Sequence, residues 1–231
     1  GMVLGPDNQK MSKSNGYVIN PDDIVNEYGA DTLRVYEMFM GDYTQDAPWN
    51  TDSLKGCKRF IDRIVRLQDK VTNEETYTSS LETLIHKSIK KVSEDIENMA
   101  YNTAISTLMI LLNTYEKEAS ITKKDYQVLL TLLNPFAPHI TEELNEKLGY
   151  NPICDSIWPS YDESKTVETE KVVGVQINGK LRCEMKVCEE DTLDTIKEKI
   201  NSLEAVQKYL EGKKIVKVIY VPLRIVNIII K

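Results

Sequence analysis

At 231 residues, of which 41% are hydrophobic, the chain can hold one or two domains with real cores, and no apolar run is long enough to span a bilayer. A formal net charge of −7 excludes a uniformly basic nucleic-acid binder but not local basic surfaces. From Lys165 onward there are 13 Lys/Arg against 10 Asp/Glu, net +3, which leaves 16 against 26, net −10, before it. Cys57, Cys154, Cys183 and Cys188 form no C-x-x-C pair, and only His86 and His139 could join them, so no zinc site is expected. With no signal peptide, the composition predicts a reduced, cytoplasmic protein without membrane association.

The first stretch with chemical content is Lys10-Met11-Ser12-Lys13-Ser14, followed by Asn15-Gly16. Two ammonium groups three residues apart, with hydroxyls between them, suit a loop that holds polyanionic oxygen and neutralises charge developing on a triphosphate. Composition alone would also fit a solvated polar turn. Asn20 and Pro21 then open a helix with acids in its first turn, Gly29 ends it, and residues 30–41 give a second helix.

Thr51-Asp52-Ser53 offers capping chemistry for an amphipathic helix over about 54–71, with Leu54, Cys57, Ile61, Ile64, Gln68 and Val71 as its inward stripe. On the opposite side Lys55, Arg59, Arg63, Arg66 and Lys70 repeat at three and four and align on one narrow stripe. Two readings stand for these cations: a solvated face beside Asp62 and Asp69, or contact with a phosphate backbone. Residues 72–80 read as a loop, and helices follow over about 81–98, 102–118, 122–133 and 138–149, an antiparallel helical bundle. His139 lacks a nucleophile or carboxylate at a telling spacing and reads as structural, and Trp158-Pro159 as a domain-closing apolar anchor.

Residues 161–170 have linker composition. The period then changes to two: a strand over 172–177, an Asn178-Gly179 hairpin turn and a partner strand over 180–187. Helices over 192–200 and 203–209, closed by Gly212, and strands over 215–221 and 225–230 complete a small four-stranded α+β domain.

The Lys-Met-Ser-Lys-Ser string resembles the second signature of class I aminoacyl-tRNA synthetases. Residues 28–41 and Ala47-Pro48-Trp49 resemble the segment that follows it in bacterial leucyl-tRNA synthetases. Asn102-Thr103-Ala104-Ile105 and residues 135–144 are similar to motifs of the helical anticodon-binding-type domain, although Asn145 stands where that family commonly has an aromatic residue. Residues 175–182 and 221–228 resemble the C-terminal domain of the same enzymes, with Pro222-Leu223-Arg224 at the usual Pro-Gly-Lys turn.

The resemblance implies four parts: residues 1–48 as the tail of a catalytic domain, 49–160 as the helical anticodon-binding-type domain, 161–170 as a linker, and 171–231 as a tRNA-contacting α+β domain. It implies ATP, with magnesium, as substrate of an intact enzyme that joins leucine to its tRNA through leucyl-adenylate. Lys13, assisted by Lys10, would be catalytic, and residues 10–14 (Met11, Ser12 and Ser14 included) would bind ATP. The tRNA contacts it implies are Lys55, Arg59, Arg63, Arg66, Lys70, Lys180, Arg182, Lys213, Lys214 and Arg224. The partners are leucine tRNA and an N-terminal catalytic and editing portion that this sequence lacks. By itself the chain, expected as a monomer, should hold no cofactor and activate no leucine, and Val35, Met38 and Phe39 should stand exposed for want of the missing core, or be covered by a neighbouring molecule in a crystal. The alternative is a stand-alone, non-enzymatic tRNA-binding module. Valine and isoleucine enzymes lack support, since neither a terminal cysteine cluster nor a terminal heptad coil is present.

Overall fold

In a computed structural model the described residues are 1–5, 8–15, 17–42, 44–167, 170–188, 191–210, 213, 215–222 and 224–231. They form two compact units, residues 1–166 and 167–231.

The first unit begins with β1 (Val3–Leu4), the loop over residues 10–14, α1 (Pro21–Tyr28), α2 (Ala30–Phe39) and β2 (Ala47–Pro48). α1 starts where the sequence predicts: Asn20 accepts from the Asp22 N–H, Pro21 occupies the first turn, and Gly29, at φ +89°, provides the backbone turn into α2. β1 and β2 pair in parallel.

α3 (Thr51–Leu67) is capped by Asn50, whose side chain accepts from the Ser53 N–H, and not by the Thr51-Asp52-Ser53 run itself. The helix stops at Leu67 and passes through a 3-10 turn (Gln68–Lys70) into β3 (Val71–Thr72). Its buried stripe is Leu54, Cys57, Phe60, Ile61, Ile64 and Leu67, so Gln68 is not an interruption of that stripe but an exposed residue beyond it. Burial of each large apolar member contributes about 1.5–3 kcal/mol relative to exposure.

α4 (Glu82–Glu97), α5 (Tyr101–Tyr115), β4 (Ile121–Thr122), α6 (Lys123–Leu133) and α7 (Pro138–Lys147) follow. β4 pairs in parallel with β3, and Thr122 and Asp125 form a reciprocal capping box on α6. The buried Asp125 carboxylate also accepts from the Thr78 N–H and hydroxyl, fixing the end of the loop that precedes α4.

One hydrophobic core runs through this unit and includes residues from α2 as well as from α3 to α7. This overturns the expected exposure at residues 35–39. Val35 is fully buried, and Met38 and Phe39 are half-buried against the same core, because α2 packs on α3 and α5. Trp49 and Tyr36 meet edge-to-face at 4.8 Å, and the Tyr36 hydroxyl accepts from the Asn50 N–H, joining α2 to the start of α3. Trp158 is not a buried anchor: it remains 38% exposed and is held by its indole N–H donating to Ser93 Oγ at 2.8 Å.

The second unit contains β5 (Glu170–Ile177), β6 (Lys180–Cys188), α8 (Leu193–Ser202), α9 (Glu204–Leu210), β7 (Ile215–Val221) and β8 (Ile225–Ile230). The sheet order is β6-β5-β8-β7, with β5 and β8 parallel and the outer pairs antiparallel. Asn178 and Gly179, at φ +49° and +80°, make the two-residue turn that such a hairpin requires. Alternate residues Val173, Val175, Ile177, Val226 and Ile228 face Ile196, Ile200 and Val206 in a separate core. Gly212, expected to close α9, lies outside the described residues. Among the described residues no helix is long and apolar enough to cross a membrane.

Candidate functional site

The lysine-serine loop is built on the edge of the first unit. A turn in which the Gly5 N–H donates to Gln9 O leads into an antiparallel bridge between Leu4 and Lys10, and a second bridge joins Ser12 to Tyr17. Met11 turns inward and packs against the core, whereas Lys10 and Lys13 are exposed on either side of it. Lys13 opens a 3-10 turn (Lys13–Asn15), and the Ser12 and Ser14 hydroxyls are 3.0 Å apart. Neither ammonium has a hydrogen-bond or ion-pair partner among the described residues, so both charges face solvent with hydroxyls beside them. An open cleft of about 180 Å³ adjoins the loop at Met11, lined by Val3, Met11, Ile19, Pro21, Ile24, Leu33, Glu37 and Trp49. Its walls are mainly apolar, with Glu37 as the one charged lining residue, whose carboxyl burial pushes above the usual carboxylate range; the loop's ammonium groups do not line it.

The α3 cations divide into two sorts. Arg63 forms a fork to Glu116, with its Nη2 also donating to Asn113 Oδ1, so this guanidinium ties α3 to α5. The paired Glu116 holds Arg63 above its ordinary pKa, and Arg63 holds the Glu116 carboxyl below the usual carboxylate range. Lys70 donates to the backbone carbonyls of Glu116 and Glu118 at 2.7 and 2.9 Å, closing the C-terminal end of α5. Lys55 sits 3.9 Å from Asp52 in an exposed pair. Arg59 and Arg66 remain, exposed and without a hydrogen bond or ion pair among the described residues.

In the second unit Lys180, Arg182, Lys213 and Arg224 are all exposed. Arg182 stacks on the Tyr209 ring at 4.6 Å, a cation–π contact between β6 and α9. Lys180 follows the hairpin turn after Ile177, and Arg224 precedes Ile225, which pairs with Gly174, so the two lie at opposite ends of the β5–β8 pairing. Lys214 lies outside the described residues.

His139 has the structural role expected of it, through a partner the sequence does not disclose. Its Nδ1 is 2.7 Å from Asp31 Oδ1, and the N–H groups of His139 and Ile140 donate to the same buried carboxylate. Asp31, on α2, thus caps α7 from 108 residues away. Arg34 adds to this seam by donating to the Pro135 and Phe136 carbonyls.

Comparison with known proteins decides the family. Residues 79–200 match the family described as the anticodon-binding domain of tRNA ligase. The chain belongs to that tRNA ligase family. Residues 1–50 match the class I tRNA synthetases of the I, L, M and V group. A leucine–tRNA ligase from Alkaliphilus oremlandii (strain OhILAs) is 50% identical over 232 aligned residues, covering 100% of this chain and 29% of that protein. The matched part is its C-terminal portion. A crystal structure of an agnB2 LeuRS from Agrobacterium radiobacter K84, in a ternary complex with tRNA and LeuAMS, gives a TM-score of 0.70 at 29% identity. That likeness covers 100% of this chain and 33% of the solved one, so the chain spans about a third of the relatives it matches.

Beyond the motifs, Asn113, Glu116, Asp31 and Tyr209 are the residues that contact Arg63, His139 and Arg182. Each pair joins groups on different elements, and no sequence spacing marks it.

Proposed function

We propose that this chain is the C-terminal part of a leucine–tRNA ligase, which joins leucine to its tRNA using ATP through leucyl-adenylate. The observation that carries the reading is a match along the whole chain, combined with a lysine-serine loop whose two ammonium groups are exposed and, among the described residues, unpaired. In the intact enzyme Lys13, with Lys10 assisting, neutralises the pyrophosphate that leaves ATP, and Ser12 and Ser14 add neutral donors. The ATP enters with magnesium, and the loop acts only when the N-terminal catalytic portion supplies the opposite wall. Residues 1–48 then form the tail of the catalytic domain, 49–160 the helical anticodon-binding-type bundle, 161–170 the connection, and 171–231 the four-stranded tRNA-contacting domain. The protein works in the cytoplasm, as a monomer.

Within the helical part Arg59 and Arg66 are the cations of α3 best able to meet phosphate, since Arg63 and Lys70 are engaged by α5. In the second unit Lys180, Arg182, Lys213, Lys214 and Arg224 supply the remaining tRNA contacts. A gel-shift titration with leucine tRNA at several salt concentrations tests the RNA half of the reading. Arg59→Ala with Arg66→Ala should flatten the slope of log K against log salt by about 1.5, at unchanged thermal stability. An unchanged slope would remove α3 from the interface. Leucine-dependent ATP–pyrophosphate exchange tests the catalytic half. The chain alone should show none, whereas an enzyme with the N-terminal portion joined should show it and lose it with Lys13→Ala.

A further inference from the structure

Between the last helix of the bundle and the second unit, the chain doubles back along α4. The contacts run in order: Trp158 Nε1 donates to Ser93 Oγ at 2.8 Å, and Lys90 pairs with Glu163 at 2.6 Å while lying 5.8 Å from the Tyr161 ring centroid. The Asp162 N–H donates to His86 Nδ1 at 3.1 Å, and Lys165 pairs with Glu82 at 2.6 Å. On α4 the receiving residues are 82, 86, 90 and 93, spaced by four, four and three, so they occupy one face of the helix. A 3-10 turn (Glu163–Thr166), with Ser164 donating to the Asp162 carboxylate, keeps the segment compact where it meets that face. The second unit begins at Val167, immediately after the last anchored turn.

His86 is the one member of this face that is buried, at 6% exposure. Because Nδ1 accepts from a backbone N–H, the ring is neutral with its proton on Nε2. That Nε2 is buried and has no hydrogen-bond partner among the described residues, with the Glu82 carboxylate 3.9 Å away. Among the described residues, the charged or titratable groups near the ring include Asp162 on the returning segment, Lys165 paired to the same Glu82, Lys90 one turn along α4 paired to Glu163, and Tyr77, edge-on at 5.7 Å.

We propose that residues 158–166 are a releasable strap, latched along α4, and that His86 is its proton-sensitive catch. A second proton on the ring must go to Nδ1, which turns the acceptor for Asp162 into a donor facing another donor and breaks that bond. Glu82, with an oxygen 3.9 Å from Nε2 while it holds Lys165, favours the charged ring, but no move of Glu82 restores the Asp162 bond. The docked strap is therefore the form present at higher pH, and it is lost as pH falls and the imidazole takes up a proton. Release frees residues 158–166, about 30 Å of extended chain, and lengthens the connection on which the second unit is carried. A longer connection lowers the effective concentration of that unit at any ligand the first unit already holds.

Amide hydrogen exchange on the full chain, corrected for intrinsic rate, tests this at pH 8 and pH 5.5. Protection of the amides in 161–166 should fall at least tenfold at the lower pH, while α4 and α5 core amides stay protected. His86→Gln should make strap protection the same at both pH values. Glu82→Gln combined with Lys90→Gln should weaken the strap at pH 8 without disturbing the core, a result that stands even if the His86 variant fails to fold. Equal protection of the wild-type strap at both pH values overturns the proton-sensitive catch, and an unprotected strap at pH 8 overturns the latch itself.

Discussion

A single carboxylate, Asp31, does the work of a helix cap across the fold. It accepts from two N–H groups at the start of α7 and meets the His139 ring, and it is itself nearly buried. Asp31→Ala leaves those donors unsatisfied and should cost about 2 kcal/mol, measured as a lower urea midpoint at unchanged slope. His139→Ala removes one contact to a largely exposed ring and should cost less than about 1 kcal/mol. If the two variants were equally destabilised, the cap would not be the reason for the arrangement. Cys57 makes a different residue-scale case. Burial pushes its thiol up to about 11, and a raised thiol presents almost no thiolate at neutral pH. Iodoacetamide at pH 7.5 should leave Cys57 unmodified in the folded chain and label it once urea unfolds the first unit, as peptide mass spectrometry would show.

At the scale of elements, what the sequence could disclose depended on how local the cause was. The start of α1 at Pro21, the Asn178-Gly179 turn and strands 215–221 and 225–230 follow from neighbouring residues, through caps, punctuation and period-two alternation. The cation stripe on α3 was legible as a stripe, and its division was not, because Asn113 and Glu116 stand some fifty residues away on α5. The Asp31 cap was hidden for the same reason. For α2 the apolar face is legible in the sequence but its cover is not, because α3 and α5, which pack on it and bury Val35, come later in the chain. The Arg63–Glu116 tie yields a prediction with a sign. Because Glu116 titrates below its ordinary range in the folded chain, its contribution is present at neutral pH and disappears as pH falls through that lowered range. Both side chains are about a third exposed, so the contribution is modest. Glu116→Gln should lower stability by about 0.5–1 kcal/mol at pH 7 and by progressively less as pH falls through that lowered range, in paired urea titrations.

At the scale of the whole molecule, the two cores share no residue. The first closes over α2 to α7, and the second closes over one face of the β6-β5-β8-β7 sheet against α8 and α9. Residues that bury their apolar surface only within their own unit gain nothing from the other when they fold, so each unit should unfold as its own cooperative step. The second is small, and its sheet leaves Val172, Leu181, Ile219 and Val221 substantially exposed, so less apolar area supports it. It should therefore be the less stable step. Thermal unfolding followed by tyrosine-sensitive and tryptophan-sensitive probes separates the two, because both tryptophans, Trp49 and Trp158, lie in the first unit. Tryptophan fluorescence should report the later transition, and far-ultraviolet circular dichroism should show both. A polypeptide of residues 167–231 alone should reproduce the earlier midpoint within a few degrees. A single coincident transition in the full chain, or a shorter chain that does not fold, would mean that the units depend on each other energetically.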